Sequence, residues 1–125
     1  MINELAHEVY ERNKLKGFYD HERNIGEMLA MIHSEVSEAL ECDRKNKYCQ
    51  LESMEDWELL ACAPDDISFQ QYFEETVKDT FEDELADIMI RVMDLAAYKG
   101  INLEIHIESK MRYNKLRPHK HGKKY

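Results

Sequence analysis

The chain has 125 residues, with 26 acidic side chains against 17 Lys and Arg, and a formal net charge of −9. That length suits a single domain, residues 1–125, with a modest core that oligomerisation would help to cover. The charge excludes general nucleic-acid binding, which draws most of its affinity from phosphate contacts, and 4 Gly, 2 Pro and no run of alternating strand residues point to an all-α class.

Three cysteines, Cys42, Cys49 and Cys62, show no C-x-x-C spacing and leave an odd count, as expected of reduced thiols in a cytoplasm. Glu4, His7 and Glu8 lie where a secretory signal would need an apolar run, and no stretch approaches membrane-spanning length. The expectation is a soluble cytoplasmic protein.

The first predicted helix spans residues 2–16, with Ile2, Leu5, Ala6 and Val9 inward, and stops at Gly17. Asn24 with Glu27 forms a capping box that opens a second helix running to about Arg44. Its apolar residues, Ile25, Met28, Leu29, Ile32, Val36, Ala39 and Leu40, recur at three- and four-residue steps, the pattern of a helix burying one face. Glu35 and Glu38 fall about 70° and 130° to one side of that stripe.

Residues 46–68 mix Tyr48, Met54, Trp57, Leu59 and Leu60 with many acids, and read as an insertion containing one short helix that breaks at Pro64-Asp65-Asp66. Helix resumes over 69–79. The strongest helix follows from about Thr80 to Lys99, with Phe81, Leu85, Ile88, Val92, Leu95 and Ala96 on its stripe and Gly100 ending it. Glu84 and Asp87 lie about 60° and 120° to the same side of this stripe. Arg91, one turn past Asp87, either neutralises the carboxylates or touches a phosphate, and pairing at i, i+4 is the more routine role.

Asn102 caps the last helix, 103–117, before Pro118. Leu103, Ile107 and Met111 define its stripe, yet Lys110, Asn114 and Arg117 lie within about 60° of the stripe's centre, where burying them unpaired would cost several kcal/mol. Two cations and an amide on one face suit phosphate oxygens and a sugar or base edge. Seven of the 17 Lys and Arg fall within 110–125, and 118–125 forms a basic C-terminal tail on an acidic body. That asymmetry suits a metal with a polyphosphate.

The two acidic pairs, Glu35-x-x-Glu38 and Glu84-x-x-Asp87, form one cluster only if their helices pack antiparallel, because parallel packing sends the pairs to opposite sides. Gathering such anions without a cation costs roughly 3 kcal/mol per pair at ~5 Å and an effective dielectric of ~20. An all-oxygen donor set of this kind suits Mg²⁺, with Mn²⁺ possible.

Two segments, IGEMLAMIHSEVSEALECDRK at 25–45 and 78–125, which opens KDTFEDELADIMIRVMDLAAYKG and ends MRYNKLRPHKHGKKY, resemble the MazG-like branch of the all-α nucleoside triphosphate pyrophosphohydrolases. The likeness covers a little over half of the chain and rests on ExxE followed by ExxD in its DELAD context, and on K-x-x-x-N-x-x-R. It implies an antiparallel helical bundle assembled as a dimer or tetramer that cleaves nucleoside triphosphates between the α and β phosphates. It also implies Glu35, Glu38, Glu84 and Asp87 as magnesium ligands, Lys110 and Asn114 at the nucleotide, and Arg117 at phosphate. The chain departs from that pattern in the long interval 39–83 and in having Arg91 where related enzymes often carry an aromatic residue. The competing expectation is a non-catalytic helical protein that binds a nucleotide or a partner through the same faces.

Overall fold

A computed structural model describes residues 1–125, and every regular element in it is helical. The helices are α1 (Ile2–Leu15), α2 (Ile25–Arg44), α3 (Met54–Ala61), α4 (Asp66–Thr76), α5 (Phe81–Tyr98) and α6 (Leu103–Lys115), followed by a 3₁₀ turn at His119–Gly122. No helix is long and apolar enough to cross a membrane.

Local signals explain most boundaries. The Asn24 side chain accepts from the Glu27 backbone N–H at the start of α2, Asn102 does the same for Ile105 at the start of α6, and Ser53 and Asp56 cap α3 reciprocally. Helix α4 starts three residues earlier than the expected 69–79 because the Asp65 carboxylate accepts from the Ser68 N–H at 2.7 Å and caps the turn. Gly100, with φ +67°, ends α5, and the Ile101 N–H closes back onto the Ala96 carbonyl at 2.8 Å.

The chain forms two compact units. One comprises Met1–Arg23 and Val92–Tyr125, the other Asn24–Arg91. In the first, α1 and α6 cap each other: Glu104 accepts from the Ile2 N–H at 2.9 Å, while Asn3 donates to Asn102 and accepts from the Glu104 N–H. Tyr10, Tyr19 and Tyr98 pack as an aromatic trio, with Tyr19 centred 4.9 Å and 5.0 Å from the other two rings. Ala6, Met93 and Ala96 are buried in the same unit.

In the second unit the segment expected as an insertion contributes the core. Leu51 and Leu60 pack with Val77, and Cys49, Tyr72 and Phe73 close around them. The segment is therefore built into its unit rather than laid over it. The apolar stripe of α2 also differs from expectation, since its buried line is Met28, Glu35, Ala39 and Cys42. Leu29, Val36 and Leu40 remain about half exposed, as does Leu85 on α5. The helices are rotated so that their acidic edges, rather than the centres of their stripes, enter the seam.

Leu60 is 4% exposed at the centre of the small α3–α4 core. Leu60→Ala is expected to lower the unfolding free energy by about 2–4 kcal/mol in urea titrations. A loss below about 0.5 kcal/mol would contradict a core role for residues 46–68.

Candidate metal centre

Ties at two levels set α2 and the first half of α5 antiparallel. Glu35 accepts from Arg91 Nε at 2.5 Å, the Cys42 thiol donates to the Asp79 carbonyl at 3.4 Å, and the Phe81 N–H donates to the Lys47 carbonyl at 2.9 Å. Glu35, midway along α2, thus meets Arg91 well into α5, whereas Cys42 and Lys47, at and just past the end of α2, meet Asp79 and Phe81 at the start of α5. At that same end the Cys49 N–H, in the loop after α2, donates to Glu82 at 2.8 Å. This is the packing sense that lets equivalent flanks of two helices converge.

The result is a carboxylate cluster across the seam: Glu35 and Glu38 from α2 and Glu84 from α5 place oxygens within 4.8 Å of one another. Glu35 and Glu84 are each only 6% exposed, whereas Glu38 is open to solvent. The i, i+3 spacing explains the difference, because Glu38 lies about 60° farther around α2 than Glu35. Asp87, expected as the fourth member, lies outside that group of three. It is half-buried one turn along α5, where burial, then Asp83 and Glu35, raise its carboxyl above the ordinary range while Arg91 pulls the other way.

The electrostatics follow from this crowding. Burial, followed by the charges of Glu38, Asp87 and Glu35, pushes Glu84 from the ordinary 4.5 up to about 7. Glu38 is raised by its bond to Glu35 and by that neighbour's charge. Glu35 goes the opposite way: burial opposes its ionisation, yet Glu38, Arg91 and Glu84 around it hold its carboxyl below the usual range. Arg91 thus has a structural partner on the other helix rather than the expected one a turn away on its own. One guanidinium cannot neutralise four acids.

These residues fit a hard divalent cation. The donors are all carboxylate oxygens on two rigid helices, two of them are desolvated, and one opens to solvent. The strained ionisation of Glu84 is the sign of a site with too little positive charge.

The other expected site residues lie on α6. Lys110 is exposed, with Nζ 5.0 Å from the Tyr113 ring centre, and Arg117 places Cζ 5.8 Å from the same ring while donating to the His121 carbonyl. Although Lys110 lies near the apolar stripe, its ammonium reaches solvent along the ring, as long cationic side chains do. Asn114 is half-buried, and its Oδ1 is fully enclosed without a hydrogen-bond partner. Such an acceptor is costly to leave unmet.

Sequence reasoning passes over one prominent feature of the second unit, a groove of about 880 Å³ lined by Trp57, Phe69, Phe73 and several acids. Its aromatic residues come from α3 and α4, whose helical spacing looks like ordinary core. Only their residual exposure, 39% for Trp57 and 42% for Phe69, separates them from it. No protein-family model, curated protein or solved structure matches the chain.

The raised pKa of Glu84 sets the sign of a pH effect in metal-free protein. A carboxyl that binds its proton more tightly folded than unfolded stabilises the fold at low pH, and that contribution is lost as pH rises from 4.5 through about 7. Glu38 and Asp87 act in the same direction and Glu35 against it. Urea unfolding across this window should show stability falling by about 2 kcal/mol more in the native sequence than in Glu84→Gln. Equal slopes for the two proteins would contradict the crowded-carboxylate picture.

Proposed function

We propose that the chain is a Mg²⁺-dependent nucleoside triphosphate pyrophosphohydrolase of the all-α, MazG-like type, releasing a nucleoside monophosphate and pyrophosphate. The observation that carries this reading is the antiparallel α2–α5 seam, in which Glu35, Glu38 and Glu84, from acidic pairs far apart in sequence, meet within 4.8 Å. The likeness of residues 25–45 and 78–125 to that family supplies the reaction class. A cytoplasmic role in nucleotide-pool housekeeping and a homodimeric or tetrameric assembly belong to the same proposal.

Glu35, Glu38 and Glu84 would hold the ion, with Asp87 one turn along α5 completing the set. A bound Mg²⁺, or Mn²⁺ in its place, would offset polyphosphate charge and make a coordinated water more acidic. Arg91 holds one oxygen of the Glu35 carboxylate and would leave the other for the ion. Glu38, the solvent-facing member, has its proton affinity raised by Glu35 and is suited to take a proton from an attacking water at its carboxylate oxygen. Lys110 and Arg117 would pair with phosphate oxygens, Arg117 through its guanidinium fork. Asn114 would contact the sugar or base edge, with its enclosed Oδ1 uncovered on binding so that it can accept a hydrogen bond.

Pyrophosphate release from a panel of canonical and modified nucleoside triphosphates tests the proposal. Turnover is expected only with Mg²⁺ or Mn²⁺ and should fall on the order of 10²–10³-fold in Glu38→Gln and in Asp87→Asn. Nucleotide binding without turnover under every metal condition would replace this reading with a non-catalytic nucleotide-binding protein.

A further inference from the structure

The groove beside the seam has a chemistry of its own. Its lining combines aromatic residues, with Phe69 and Phe73 stacked at 5.9 Å between ring centres and Trp57 also present, with acids that include Glu74, Glu82, Asp83 and Asp87. Lys78 is the single lining cation, and it already pairs with Asp79 at 4.0 Å. A lining of aromatic rings and acids fits a segment that joins several cations to an aromatic ring.

The chain carries such a segment. Residues 118–125, PHKHGKKY, hold three lysines and no acid, and Tyr125 is wholly exposed. None of Lys120, Lys123 and Lys124 is paired with a carboxylate of its own unit. In the 3₁₀ turn Lys120 and His121 adopt left-handed backbone, with φ +53° and +54°. L residues avoid that region, so an extended bound form would relieve it.

A second copy is the source that also meets the remaining need of this unit for cover. Leu29, Val36 and Leu40 on α2, with Leu85 and Met89 on α5, are each between 44% and 50% exposed. Apolar residues so placed favour association with another chain. We propose that the groove of one chain, lined by aromatic rings and acids, receives the basic segment 118–125 of another, with lysines at the acids and Tyr125 against the aromatic rings. The groove shares Asp87 with the proposed metal set, but docking of the segment needs no hydrolysis and survives the failure of that reading.

Intermolecular photocrosslinking decides it. A photoreactive phenylalanine analogue replaces Phe69 in one variant and Gln70 in another, both exposed in the groove lining, and ¹⁴N- and ¹⁵N-labelled chains are mixed before irradiation. The expected products join the groove to residues 118–125 in mixed-isotope pairs. Their yield should fall at least about fivefold in Lys120→Glu/Lys123→Glu/Lys124→Glu and in roughly 0.5 M salt, as contact ion pairs require. Crosslinks confined to one chain, crosslinks to another segment, no crosslinks from either position, or yields indifferent to charge reversal would each overturn the proposal.

Discussion

Everything in the second unit turns on the burial of like charges where two antiparallel helices meet. Glu35 and Glu84 are almost fully withdrawn from water, yet the only cationic side chain bonded to either is Arg91, through Glu35. A helix pair normally turns such residues outward. Here α2 and α5 do the reverse, leaving Leu29, Val36, Leu40 and Leu85 half exposed. Stability that apolar burial would have supplied is given up to hold carboxylates together, a local conflict of the kind expected at a functional site.

Much of this was legible in the residues. Caps are local, so Asn24, Asn102 and Gly100 could be read one turn at a time, and the observed helix boundaries at these positions follow from them. The i, i+3 spacing of each acidic pair placed both pairs on the same flank of their helices, and only antiparallel packing could then unite them. What remained hidden depends on distances across the fold. The wheel gives the direction of Glu35 relative to Leu29 but not which of the two faces the neighbouring helix. Asp87 shares its helix with Glu84 at the same i, i+3 spacing as Glu35 and Glu38, and periodicity alone does not say which of the four carboxylates reaches across; Asp87 lies outside the group of three.

Residues 46–68 show the same limit in another form. Leu51 and Leu60 lie among acids and read as an interruption between two stronger helices. Their core partner, Val77, comes after a further helix, and such a long-range pairing leaves no periodic mark. The groove built on that core is equally invisible, because Phe69 and Phe73 look like one buried face of α4 until their exposure is known. On α6, by contrast, the oddity of polar residues near an apolar stripe survives in Asn114, whose enclosed oxygen has no donor.

The most direct test of the account is the binding of a divalent cation to the carboxylate seam, free of any assumption about substrate. Mn²⁺ titration followed by electron paramagnetic resonance should reveal one tightly held ion per chain, displaced by Mg²⁺ and weakened on the order of 10–100-fold or more in Glu35→Gln and in Glu84→Gln. Uptake equal to that of these variants, or no uptake at all by the native chain, would contradict the claim that α2 and α5 meet in order to hold a metal.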